Sequence, residues 1–146
     1  MIAVRKLKPG DAPALASIAA ARKLKGGLGL WQTLVKRHSG RGAGGSRIGL
    51  VAVDEGGVVG YVLGEVRAFE FGSEACGWIY SIGVHPKKER ERTATHLVTA
   101  ALAEFRSRGV MATRTMVRKE DIPLIGFFRA AGFTGGPFVE LERGNG

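Results

Sequence analysis

The residues best placed to do chemistry lie where an apolar run meets a charged one. Trp78-Ile79-Tyr80-Ser81-Ile82-Gly83-Val84-His85-Pro86 reads as a buried strand closed by a proline. Lys87-Lys88-Glu89-Arg90-Glu91-Arg92 follows as a charged turn, and an amphipathic helix is predicted from Thr93. A strand, a turn and a helix N-terminus in that order make a seat for an anion. N–H groups of the first helical turn have no partner inside the helix, and the helix dipole favours negative charge there. The lysines and arginines add charge at the same place. A charged run by itself more often reads as a solvated turn; set between a strand and a helix, it also suits the pyrophosphate of a nucleotide-like cofactor.

Other chemistries find less support. Three histidines, His38, His85 and His96, and one cysteine, Cys76, show no metal-ligand spacing, so no metal is expected. No Ser-His-acid or Cys-His set appears, and Cys76 reads as a packed thiol. A lone cysteine excludes an internal disulfide and fits a reducing cytoplasm. No apolar run reaches membrane-spanning length, and residues 1–7 read as a first strand rather than a secretory signal. The net charge of +9 favours acidic partners and argues against a polycationic substrate such as a polyamine. Nucleic acid is the weakest of those partners, because no platform of interleaved aromatic and basic residues is present.

The elements that position the central stretch follow from periodicity and punctuation. With 146 residues and a 45% hydrophobic fraction, one domain with a real core is expected over residues 1–146. Residues 2–7 alternate as a strand. Asp11 is placed to cap a helix running from Ala12 to about Leu24, and Leu28 to His38 reads as a second helix. Residues 39–46 are a Gly-rich loop. Strands are predicted over Ile48–Asp54, Val58–Phe71 and Glu74–Val84, with Gly60 and Gly64 marking twist or bulge positions. A helix over Thr93–Arg108 leads to a parallel strand over Val110–Val117. Asp121 caps a fourth helix ending before Gly132, and one or two strands are expected from Phe133 onward. The fold class is therefore α/β: a mixed, mostly antiparallel sheet of about 6–7 strands with helices on both faces.

That element order resembles the GNAT superfamily of acyl-CoA-dependent N-acyltransferases along essentially the whole chain. Two motifs carry the resemblance. Val84-His85-Pro86 and the following turn and helix match the family's V-x-P, [QR]-x-x-G-x-[GA] pattern. Ala130-Ala131-Gly132-Phe133 closes a helix in the manner of the family's second motif. Glu89 stands where Gln or Arg is usual, Arg92 where the first glycine is usual, and Ala94 fits. Asp121 replaces an asparagine, and Phe128 falls where many members have a tyrosine that protonates the leaving thiolate. Phenylalanine has no proton to give.

The resemblance implies acetyl-CoA as cosubstrate and direct attack of an amine on its thioester. On that reading, backbone groups of Ile82, Gly83 and Val84 pair with the pantetheine arm. Lys87, Arg90, Glu91, Arg92, Thr93, Ala94 and Thr95 surround the pyrophosphate, and Asp121 and Phe128 border the cofactor. A base must take the amine proton; Glu65 and Tyr80 are the leading candidates, ahead of Glu70 and Glu74. Two alternatives stay open: a catalytically impaired module that binds coenzyme A, and a basic protein associated with nucleic acid. The acyl acceptor, an amine, is not legible. Exposed edge strands are compatible with a homodimer.

Overall fold

The computed structural model describes residues 1–40, 45–68 and 70–146, leaving aside the side chains of residues 90 and 91. Part of the expected Gly-rich loop, residues 41–44, thus lies outside the described residues. The chain divides into two compact units, Met1–Met116 and Val117–Gly146.

The first unit holds one five-stranded sheet. Its strands are β1 (Ala3–Lys6), β2 (Arg47–Asp54), β3 (Gly57–Arg67), β4 (Cys76–Val84) and β5 (Thr113–Thr115), in spatial order β1-β2-β3-β4-β5. All neighbours are antiparallel except β4 and β5. Helices α1 (Ala12–Ala21) and α2 (Leu28–His38) cover one face. Leu15 and Ile18 of α1, Trp31 and Val35 of α2, and Val51, Tyr61 and Leu63 of the sheet form one buried cluster there. Helix α3 (Thr93–Ser107) covers the other face with fully buried Leu97, Ala101 and Phe105. Strand alternation explains the division: Tyr61 and Leu63 point one way, while Gly60 and Gly64 leave room on the other for Leu97 and Phe105.

Both flagged glycines of β3 adjoin irregularities. The β2–β3 register shifts between Ala52 and Val53, opposite Gly60. The β3–β4 register shifts between Leu63 and Gly64: Leu63 faces Ser81 and Gly64 faces Ile79, so Tyr80 is an extra residue bulged out of β4. The strands approach closely here. A Cβ on Gly64 would sit 2.4 Å from the Trp78 carbonyl oxygen and 3.1 Å from Phe105 Cζ.

Several expectations need correction. The sheet has five strands, not six or seven. The strand expected to reach Phe71 stops at Arg67, and a short 3-10 turn over Glu70–Gly72 follows. The strand expected over Val110–Val117 shrinks to Thr113–Thr115; at its C-terminal end the Thr115 hydroxyl donates to the Ile79 carbonyl at 2.8 Å. No strand forms among residues 133–146; Gly135-Gly136-Pro137 is entropically costly and short of a donor, and Val139 and Leu141 are exposed. Helix α1 ends at Ala21 rather than near Leu24. Asp11 does not cap it through its side chain. Its carboxylate instead takes both guanidinium nitrogens of Arg5, at 2.8 and 2.9 Å, and the Lys8 amide at 2.8 Å.

In the second unit, α4 (Ile122–Ala130) starts as expected, with Asp121 accepting from the Leu124 amide at 3.2 Å. Gly132, at φ 95, follows its end.

Because the group that a Gly64 Cβ would strike is backbone, Gly64→Ala is expected to destabilise the protein by about 1–3 kcal/mol, read from urea denaturation. Full stability in the variant would show that the bulge tolerates a wider strand separation.

Candidate functional site

The central stretch is a strand with one partner lost halfway. β5 pairs with β4 only from Gly77 to Ile79. β4 then runs on from Tyr80 to Val84 with no strand beyond it on that side among the described residues. His85 donates its amide to the Val59 carbonyl at 2.8 Å, on the β3 side. Alternation therefore turns the backbone groups of Val84 and Ile82 to the opposite edge. The Val84 carbonyl is met there by Arg22 Nη1 at 3.2 Å. Gly83 is required for packing: a Cβ would fall 2.7 Å from the Tyr61 ring.

At the end of β4 the charged run folds as a 3-10 turn over Pro86–Glu91, and α3 begins at Thr93. His85 Nδ1 accepts from the Lys87 amide at 3.2 Å, and the buried Thr93 hydroxyl donates to the Lys88 carbonyl at 3.0 Å. The Arg92 side chain does not cap α3, and the first amides of a helix, here those from Thr93 to Thr95, have no partner inside it. Arg92 has φ 59 and ψ 27, in the left-handed region. It is the residue standing where a glycine was expected, and the backbone adopts a glycine's conformation there.

The charges of the turn are partly spoken for. Glu89 pairs with Arg22, just past the end of α1, so that carboxylate is neutralised at the turn. Lys88 Nζ lies 2.9 Å from Asp54 of the β2–β3 hairpin. Lys87 and Arg92 are exposed. The side chains of Arg90 and Glu91 lie outside the description.

The two proton-transfer candidates come together in one cleft of about 250 Å³ on the α1–α2 face. The bulge presents Tyr80 toward α2, where its hydroxyl is hydrogen-bonded to His38 Nε2. His38 Nδ1 lies 2.7 Å from the Leu34 carbonyl. A carbonyl only accepts, so Nδ1 carries the proton and Nε2 accepts from Tyr80. Burial, aided by Arg47 and Arg37, holds the imidazole below its ordinary 6.5. Burial, together with the charge of Glu65, pushes Tyr80 up to about 12. Both groups are therefore neutral near pH 7. Glu65 is bound on two sides, by Arg67 at 3.1 Å and Arg47 at 3.7 Å.

His38, read from the sequence only as the end of the second helix, is 1% exposed and faces the sheet. Its signal was the stripe Trp31, Val35, His38, all buried, at i, i+4, i+7. Arg22 had no local signal. Asp121 and Phe128 belong to the second unit, where Phe128 is buried with Phe127 and Phe133 edge-on at 5.2 and 5.1 Å. Among the described residues, no group of three His, Cys, Asp or Glu is placed to hold a metal ion. No described helix is long and apolar enough to cross a membrane.

The sequence profile of the acetyltransferase (GNAT) family matches residues 18–133. No curated protein matches the chain significantly. Solved structures match it over almost its whole length. Aminoglycoside N-acetyltransferase AAC(6')-Iy, in complex with CoA, is 13% identical, with a TM-score of 0.85 over 99% of this chain and 95% of that one. Glucosamine-6-phosphate N-acetyltransferase from Arabidopsis thaliana is 12% identical, with a TM-score of 0.79 over 100% and 99%. The aminoglycoside acetyltransferase meta-AAC0020 from an uncultured soil metagenomic sample, in complex with sisomicin, is 19% identical, with a TM-score of 0.74 over 99% and 95%. At these identities the likeness speaks for the fold.

Arg92→Gly is expected to stabilise the protein by about 0.5–1 kcal/mol: relief of about 1–2 kcal/mol of left-handed strain, less about 0.5–1 kcal/mol of added unfolded-chain entropy. Arg92→Ala keeps the Cβ and gains nothing. Equal gains from both, in chemical denaturation, would assign the effect to charge instead of conformation.

The His38 shift also has a sign. Its folded-state value lies below the unfolded one, so the unfolded chain takes up the proton first. Stability from this site is complete above the ordinary 6.5 and is lost as the pH falls below it. His38→Gln, which can donate to Leu34 and accept from Tyr80, is expected to flatten the stability profile between about pH 7 and pH 5. An unchanged slope would show that other groups carry it.

Proposed function

The chain belongs to the acetyltransferase (GNAT) family, and on that premise we propose that it moves an acetyl group from acetyl-CoA to an amine by direct attack. One coincidence supports this most: the end of β4–β5 pairing at Ile79, the Tyr80 bulge and the Tyr80–His38 hydrogen bond fall within three consecutive residues. An open strand edge and a proton-carrying pair thus adjoin each other.

The residues present fit the cosubstrate. The outward backbone groups of Ile82 and the outward amide of Val84, whose carbonyl already takes Arg22, with Gly83 between them, suit the amides of a pantetheine arm. The amides from Thr93 to Thr95, which have no partner inside the helix, suit a pyrophosphate together with the exposed Lys87 and Arg92. Arg90 and Glu91 belong to that turn by position.

The cosubstrate brings an activated acetyl group on a thiol leaving group. The amine nitrogen forms the new bond to the acetyl carbon, and the carbon–sulfur bond breaks. Tyr80 takes the amine proton on its oxygen while its own proton passes to His38 Nε2. His38 is suited to this, being neutral and already oriented by Leu34. Glu65 is the second catalytic candidate; held by two arginines, it acts through its charge, which favours the imidazolium. Phe128 cannot donate, so water protonates the thiolate.

At a hundredfold over its dissociation constant, acetyl-CoA is expected to stabilise the protein by about 2.7 kcal/mol. An amine panel should then release free thiol, and Tyr80→Phe should lower kcat by about a hundredfold or more with cosubstrate binding intact. Stabilisation without thiol release from any amine would favour the coenzyme A-binding module. No stabilisation at millimolar ligand would remove the reading.

A further inference from the structure

The cleft that holds Tyr80 and His38 is lined by three arginines, Arg37, Arg47 and Arg67, against one carboxylate, Glu65. Glu65 already lies between Arg47 at 3.7 Å and Arg67 at 3.1 Å. Arg67 also reaches Glu70 at 3.7 Å and stands over the Trp78 ring, its guanidinium carbon 5.9 Å from the centroid. Even with Glu70 counted, one guanidinium is in excess. That one is Arg37: it is exposed and pairs with no carboxylate among the described residues.

From this charge pattern we infer that the acyl acceptor is a small amine bearing a carboxylate or phosphate group, held through Arg37 with its nitrogen toward Tyr80. The inference rests on the acetyl-transfer reading and names its acceptor class. Four physical points carry it. A planar guanidinium with two free donors suits a carboxylate or phosphate oxygen pair. A polycationic acceptor would need carboxylates, and the single one in the cleft is taken by two arginines. The positive surroundings also disfavour an ammonium ion and favour the neutral amine, the form that attacks. The cleft volume, about 250 Å³, suits a compact molecule better than a multi-ring amino sugar.

The test compares matched amines with acetyl-CoA: an amino acid against its carboxamide, an amino-sugar phosphate against the unphosphorylated amino sugar, and a polyamine. The anionic member of at least one pair is expected to show a kcat/KM about tenfold or more above its neutral partner, the difference of one charge-assisted hydrogen bond. The two pairs separate carboxylate from phosphate. Arg37→Ala should raise KM for the anionic amine by a similar factor, with kcat changed much less, and should erase the preference. Inorganic phosphate at matched ionic strength should raise the melting temperature of wild type more than that of Arg37→Ala.

Turnover of neutral or polycationic amines as fast as anionic ones, or an unchanged preference in Arg37→Ala, would overturn the inference and leave acetyl transfer standing. If acetyl-CoA neither binds nor turns over, the acetyl-transfer reading falls. The phosphate comparison then decides the anion site alone, and equal shifts in both proteins would end it.

Discussion

Much of this structure depends on how short the parallel ladder is. β4 and β5 share three residue pairs, and the Thr115 hydroxyl then occupies the Ile79 carbonyl. A longer ladder would satisfy the backbone of Ile82 and Val84 and leave that edge nothing to offer. The bulge is tied to the same place. With Tyr80 inserted between Ile79 and Ser81, β4 twists more strongly as it leaves β5. The extra residue also points its ring into the α2 side, where His38 meets it. Gly64 permits this by letting the β3 backbone approach the Trp78 carbonyl more closely than any side chain would allow.

The net charge of +9 is spread unevenly, and the arrangement matters more than the sum. Glu89, the carboxylate at the α3 turn whose side chain is described, is taken by Arg22, and Lys88 is drawn to Asp54. Among the described cationic side chains of the turn, Lys87 and Arg92 remain toward solvent. Arg92 meanwhile holds a left-handed backbone that costs a residue with a Cβ about 1–2 kcal/mol. It persists because its neighbours are fixed: Thr93 is buried and bonded to Lys88, and Leu97 and Phe105 anchor the helix behind it. Strain at one residue is small beside the packing of a fifteen-residue helix.

Most of this architecture was readable because it rests on local signals. The period of α3, the glycines of β3 and the Asp121 cap each act within a few residues, and each was found where expected. The errors share a different cause. The lengths of β3 and β5, and the missing strands after Phe133, depend on whether a partner strand exists, which no local pattern states. Asp11 had the right type and place for a cap; Arg5, six residues earlier, offered a stronger two-pronged partner. In the site, Tyr80 and Glu65 were picked out for their chemistry on adjacent strands. His38 was missed because its helix was read only for apolar residues, and Arg22 because its partners lie more than sixty residues away.

Phe128 need not weigh as heavily against catalysis as the loss of a proton donor suggests, because the two proton transfers of the proposed reaction are unequal. A thiol with a pKa near that of cysteine, about 8.5, leaves as a thiolate about 1.5 units from neutrality, and water can protonate it afterward. An alkylammonium near 10.4 lies about 3.4 units away, and its nitrogen cannot attack until the proton is gone. The harder step falls on the amine side. In the proposed reaction, that side is where the neutral imidazole, the oriented tyrosine hydroxyl and the excess arginine charge are gathered. On the proposed reading, a chain with a base and no side-chain acid has kept the group with the larger free-energy gap to close.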